Sequence, residues 1–176
     1  MKVAIFIDGW HLKKTEEDNK IKLDYHKLSD ELTKGDYRVR TYYYAARAHP
    51  GDLVTKELKE LDLITETFHS ALDKFPRFDI KLGRLEKIGD RWKQKGVDMR
   101  LGVDMVQMSA NKLIDKAILI AADGDFVYAV QKAKDAGIVT SLITFPIDAI
   151  HRDLRRVVDE VVELDKATLE KCKLEK

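Results

Sequence analysis

The acidic residues of this chain fall where side chains can do chemistry. The apolar run KVAIFID (2–8) ends in Asp8, and a second apolar run, KAILIAA (116–122), is followed by Asp123-Gly124-Asp125. In an open parallel sheet, ligands bind beyond the C-terminal ends of the strands, near the point where strand order reverses. If the two strands are neighbours, they lie about 4.8 Å apart and bring their terminal carboxylates close together. Like charges at that range raise each other's pKa unless a cation lies between them. Oxygen-only donors suit a hard divalent ion such as Mg²⁺.

Other acids carry a second reading. Asp125 precedes a helix-like pattern and is equally placed to be an N-cap, accepting a bond from a free backbone N–H. Asp98 has the same ambiguity, because it opens a helix-like stretch at 98–112. Asp104 lies six residues on, about 120° further round a helix of about 3.6 residues per turn. Asp98 and Asp104 therefore do not face one point on a regular helix. The acids of KTEEDNK (14–20) and RDLRRVVDE (152–160) read as solvated faces.

The elements that must position these acids alternate between strand and helix. Strands are expected at 2–8, 37–46, 77–85, 116–122 and 138–145, with an edge strand at 157–164. Helical spacing covers 24–33, 53–68, 98–112 and 125–136, the last closed by Gly137. The charged stretch 83–97, with its Gly89-Asp90 turn signal, reads as a hairpin-like excursion or a loop. The whole predicts an α/β layered fold with a mainly parallel sheet in one domain. Nothing in the chain suggests a linker or an internal repeat.

With 176 residues the chain is long enough to bury a core of its own. A net charge of +1 gives no global excess to draw it to nucleic acid or membrane, so any electrostatic recognition is local. The single cysteine, Cys172, excludes an intrachain disulfide and argues against a cysteine-based zinc site. The apolar run before Asp8 is too short for a signal-peptide core, and no run approaches a membrane span, so a cytoplasmic protein is expected. Residues 81–100 hold seven cations against three acids, a local net of +4, with Trp92 interleaved. Basic residues around an aromatic ring suit a single-stranded nucleic acid, although a basic loop and a packing tryptophan look the same in sequence. Trp10, beside Asp8, is a second stacking candidate. TYYYAA (41–46) and the strand at 157–164 are candidate pairing surfaces for a homodimer.

Three blocks, VAIFIDGWHL (3–12), KGVDMRLGVDMVQMSA (95–110) and AILIAADGDFVYAVQKAKDAGIVTSLITF (117–145), resemble in order the signature blocks of the NYN domain, nearest to its LabA-like bacterial and archaeal branch. That domain belongs to the PIN-like superfamily, whose members are typically metal-dependent ribonucleases. The resemblance implies a three-layer Rossmann-like sheet over residues 1–165, followed by a polar tail at 166–176. It implies that Asp8, Asp98, Asp123 and Asp125 hold Mg²⁺ or Mn²⁺, with Asp104 as a further matching position. It also implies endoribonuclease action on RNA, single-stranded by preference. Trp10, His11, Trp92, Lys93, Lys95 and Arg100 are the expected nucleic-acid contacts. His11 stands where the family often has Asn, and Ala121-Ala122 where it often has Ser-Gly, a change that removes a hydroxyl but no ligand. Two other readings share the motifs: an RNA-binding module that cleaves weakly, and an aspartate-based phosphatase. The phosphatase would want an acid pair where this chain has Asp8-Gly9-Trp10.

Overall fold

The computed structural model describes residues 1–88 and 91–175. Its organising element is β1 (Lys2–Asp8), whose alternate side chains feed two cores. Val3, Ile5 and Ile7 enter one core, and Ala4 and Phe6 the other. A strand covered on both faces reads as a continuous apolar run, which is why this one shows no polar alternation.

Around it the described residues form a seven-stranded sheet in the order β4-β3-β2-β1-β5-β6-β7. The other strands are β2 (Tyr37–Ala48), β3 (Phe78–Ile88), β4 (Arg91–Lys95), β5 (Lys116–Ile120), β6 (Val139–Thr144) and β7 (Glu160–Glu163). Every neighbouring pair is parallel except β3–β4. Chain order runs outward from β1 in one direction through β2 and β3, and from β5 in the other through β6 and β7. The order therefore reverses between β1 and β5, where Ile7 pairs with Ile120. The neighbour relation on which the acid argument depends is present.

Helices cover both faces. α1 (Gly9–Asp18), α2 (Tyr25–Leu32), α3 (Lys56–Asp73) and α7 (Lys166–Lys171) lie on the side of Ile5 and Ile7. The opposite side carries α4 (Val97–Ala110), α5 (Val127–Asp135) and α6 (Arg152–Val157). This is the three-layer α/β arrangement expected from the sequence. No helix among the described residues is long and apolar enough to cross a membrane.

Several expectations need correction. Residues 14–20 are not simply a solvated face, because α1 begins directly after Asp8. Within it, Glu16 accepts bonds from the Leu23 N–H (2.7 Å) and the Tyr25 hydroxyl (2.9 Å). The stretch 83–97 is a hairpin: β3 runs to Ile88, and β4 returns antiparallel. The Gly89-Asp90 turn signal lies outside the described residues. TYYYAA cannot be a pairing surface, since β2 is internal to the sheet and Tyr43 and Tyr44 are fully buried. β7 does stand at the open edge. The stretch after 165 opens with α7 (Lys166–Lys171), which docks through buried Leu169 with buried Cys172 as its C-cap.

One buried group makes stability depend on pH. His69 on α3 packs against Tyr43 and Phe68, and neither ring nitrogen finds a hydrogen-bond partner among the described residues. Burial first, then the charges of Lys13 and Arg47, push its pKa down to about 4 from an ordinary 6.5. The folded protein thus binds that proton less tightly than the unfolded chain does. The stability tied to His69 is complete above pH 6.5 and is lost as pH falls toward 4. His69→Phe should flatten that limb of a stability–pH curve measured by urea unfolding.

Candidate active site

Three of the predicted acids stand at helix N-termini, and this explains their positions. Asp8 is the N-cap of α1, its Oδ1 accepting from the Trp10 N–H (3.0 Å) and the His11 N–H (3.4 Å). Asp123 caps the short 3₁₀ turn Gly124–Phe126, accepting from the Asp125 N–H at 3.1 Å. The cap at this turn is therefore Asp123, not Asp125. Asp98 lies in the first turn of α4, after Gly96 in the left-handed region (φ 74°). A free carboxylate near a helix N-terminus is favoured by the exposed N–H groups and the helix dipole. Capping occupies one oxygen of Asp8 and of Asp123 and leaves the other for a ligand.

Two glycines bring these termini together. A side chain at Gly9 would meet the Tyr43 ring and the Tyr44 carbonyl oxygen, so α1 turns against β2 only because none is there. At Gly83 on β3, a Cβ would fall 2.6 Å from the Lys95 carbonyl oxygen and 2.7 Å from Val97 Cγ2. The start of α4, and Asp98 with it, is held tight to the sheet by that gap.

The acids affect one another electrostatically. Burial raises the Asp8 carboxyl above its ordinary value; the His11 N–H opposes this, and the Asp98 charge adds to it. Asp98 is raised by burial, then by the charges of Asp123 and Asp125. The four residues form one field of negative charge. Among the described residues, no three carboxylates or imidazoles converge closely enough to enclose an ion by themselves. Asp104 is turned elsewhere, its Oδ2 accepting from the Tyr44 hydroxyl at 2.9 Å.

Asp8, Asp98 and Asp123 line one cleft of about 520 Å³, and Trp10 and Trp92 line it with them. Lys93 and Lys95 are not on that wall. Side chains alternate across a strand, so Trp92 and Gln94 face the cleft while Lys93 and Lys95 face away. Lys95 pairs there with Glu86 at 2.6 Å. The expected patch of cations around Trp92 is split by the pleat. Arg100 is exposed on the first turn of α4. His11 is buried, its Nε2 lying 3.6 Å from Asp148 Oδ2, and it lines a second depression that shares Asp8, Trp10 and Asp123 with the first.

Asp148 was not anticipated. It accepts from the Thr15 hydroxyl (2.9 Å) and the Phe145 N–H (2.8 Å) just past the end of β6. The strand-end reasoning that found Asp8 and Asp123 applies to it equally, since only Ile147 separates it from IVTSLITFP. Ile147 before it sits at φ 69°, a strained conformation for a β-branched residue.

The NYN domain family model matches residues 2–165. The chain belongs to the NYN-domain family. Among curated proteins, the uncharacterized protein y4oD of Sinorhizobium fredii is 33% identical over 100 residues. That alignment covers 53% of this chain but only 44% of y4oD, so this NYN domain spans less than half of that relative. Among solved structures, a protein of unknown function from Vibrio parahaemolyticus superposes with a TM-score of 0.66 at 18% identity. It covers 98% of this chain and 96% of its own, a likeness of fold. The sheet order and the helix layers are those of a PIN-like, nuclease-type domain.

Proposed function

We propose that this NYN domain is a metal-dependent ribonuclease that hydrolyses phosphodiester bonds of single-stranded RNA. The observation that carries the reading is a cleft lined by Asp8, Asp98, Asp123 and two tryptophans, in which, on top of burial, the Asp98 charge raises Asp8 and the charges of Asp123 and nearby Asp125 raise Asp98. Acids crowded this way ionise readily only with a cation among them.

The donor set fits Mg²⁺ or Mn²⁺. Mg²⁺ commonly keeps several waters and takes one or two carboxylates plus substrate phosphate, so three converging side chains are not required. Asp8, Asp98 and Asp123 would hold the ion, with Asp125 acting through water. When bound, it would neutralise phosphate oxygens and make a water molecule more acidic. The protein's own contribution is orientation: the backbone N–H groups of Trp10, His11 and Asp125 fix the carboxylates, and the Tyr44–Asp104 bond ties α4 to β2. In the reaction, water oxygen bonds to phosphorus, the bond from phosphorus to the leaving sugar oxygen breaks, and that oxygen takes up a proton. Trp10 and Trp92 favour RNA whose bases are unstacked.

A second reading, an RNA-binding module that cleaves weakly, draws on the absence of three convergent ligands among the described residues. Incubating labelled single-stranded RNA with Mn²⁺ separates the two. The ribonuclease reading expects cleavage that chelation stops and that fails in Asp8→Asn. Cleavage persisting unchanged in that variant would remove these acids from the mechanism.

A further inference from the structure

Most of the cleft wall above the acids is unsuited to phosphate. Among the described residues its one cationic side chain, Arg47, is already committed. Arg47 Nε donates to Asp62 Oδ1 (3.1 Å), and Nη2 to Asp62 Oδ2 (2.9 Å) and Glu66 Oε2 (2.8 Å). Thr65 donates its hydroxyl proton to the Leu61 carbonyl at 2.9 Å. Much of the rest of the wall is apolar: Leu53, Leu58 and Leu61 from the α3 side, and Leu85 from the hairpin. Trp10, 66% exposed, and Trp92 add two flat rings.

Among the described residues the exposed Gln94 amide on this wall holds no hydrogen bond, and it is the wall's only amide, able to donate and accept at once, whereas the indole N–H groups of Trp10 and Trp92 can only donate. Gln94 sits opposite Leu85 on the exposed edge strand, two residues from Trp92 and on the same face. A space of about 520 Å³ with leucine walls, indole faces and a single amide is built for a flat, uncharged, heteroaromatic ring. A glutamine amide matches adenine in particular: its oxygen accepts from the exocyclic amine while its NH₂ donates to the neighbouring ring nitrogen.

We infer that this cleft is a base-reading subsite, in which one unstacked nucleobase beside the scissile phosphate stacks on tryptophan and is selected as adenine by Gln94. The inference rests on the nucleic-acid reading of the acid cluster, and it adds a specificity determinant to it. A cation held by the acids would supply charge for the phosphate, whereas the ring is held by stacking and by one amide. Discrimination therefore resides in β4, an element that contributes no acid.

The two tryptophans of the chain both line this cleft, so intrinsic fluorescence reports on it directly. The test is a titration in chelator with an adenylate tetranucleotide, a uridylate tetranucleotide and an abasic strand of equal length. Stacking predicts quenching by the adenylate strand with an affinity about 10-fold or more above the abasic strand. Trp92→Ala should remove most of that difference. Gln94→Leu, at an exposed edge position and checked for folding by circular dichroism, should keep the quench but bring adenylate and uridylate affinities together. Equal binding of the abasic and adenylate strands would overturn the subsite. An adenylate preference unchanged in Gln94→Leu would overturn the role of Gln94 and, with it, the inference as stated. Because no metal is present, the outcome is separate from cleavage. Base-dependent quenching without RNA hydrolysis in Mn²⁺ would sink the ribonuclease and leave the subsite standing. Hydrolysis without base-dependent quenching would do the reverse.

Discussion

Asp8→Asn is expected to lose RNA cleavage while becoming more stable than the parent protein in chelator. The two halves have one cause. The folded protein raises the Asp8 carboxyl above its ordinary 3.8, through burial and then through the Asp98 charge. The stability linked to this proton is complete below pH 3.8 and is lost as pH climbs through the raised folded value. At neutral pH the ionised side chain therefore works against the metal-free fold. Asparagine removes that charge while keeping an oxygen to cap α1, a role in which Asn and Asp are equivalent. The helix start is retained and the repulsion is relieved.

Cleavage should fall by at least the roughly 10–100-fold that even an outer partner of a metal ligand costs. Thermal unfolding with and without Mn²⁺ checks the other half. In chelator the variant should melt above the parent, and added Mn²⁺ should raise the parent's midpoint far more than the variant's, since a ligand that binds only the native state stabilises it by mass action. A variant that melts lower in chelator would show that Asp8 is a structural cap and nothing more.

Gly9→Ala should be the most damaging single methyl group in the protein. The added Cβ would collide with the Tyr43 ring and lie 2.7 Å from the Tyr44 carbonyl oxygen. Neither neighbour can yield. Tyr43 is fully buried between Tyr25, Phe68 and His69, and Tyr44 is locked in the middle of the sheet by its ladder to β1. Forcing extra volume into such a site typically costs about 1–3 kcal/mol, occasionally more. Relief comes only if α1 moves away from β2, and that would carry Asp8 out of register with Asp98 and Asp123. The expected result is a lower urea midpoint together with loss of Mn²⁺-dependent cleavage. A normal midpoint would mean that α1 can rotate past Tyr43 at no cost, which its packing does not allow.

The elements that bury apolar surface were legible in the chain because burial leaves a periodic mark. β1, β5 and β6 are short apolar runs, and α4 and α5 repeat at helical spacing. Missed elements left no such mark: α1 is short and charged, and it forms because Asp8 caps it and Gly9 admits it. For the β3–β4 hairpin the sequence left a hairpin-like excursion and a loop both open, since an edge strand with solvent on one side has little to bury, and the antiparallel pairing decided for the hairpin. Asp148 was missed for want of a motif, although it ends a strand as Asp8 and Asp123 do.

What the sequence determined by itself was local: which segments are strands or helices, which strands end in carboxylate, and, through its motif blocks, which family it resembles. Only the tertiary structure decided what those ends meet. Strand order placed β1 beside β5 and so brought Asp8 into one field with Asp123 and Asp98. The pleat of β4 sent Trp92 and Gln94 into the cleft and Lys93 and Lys95 out of it, and a hydrogen bond to Tyr44 claimed Asp104. Periodicity along a chain reports how each segment meets solvent. The charge that one carboxylate feels from another depends on distances across the sheet, which no local pattern encodes.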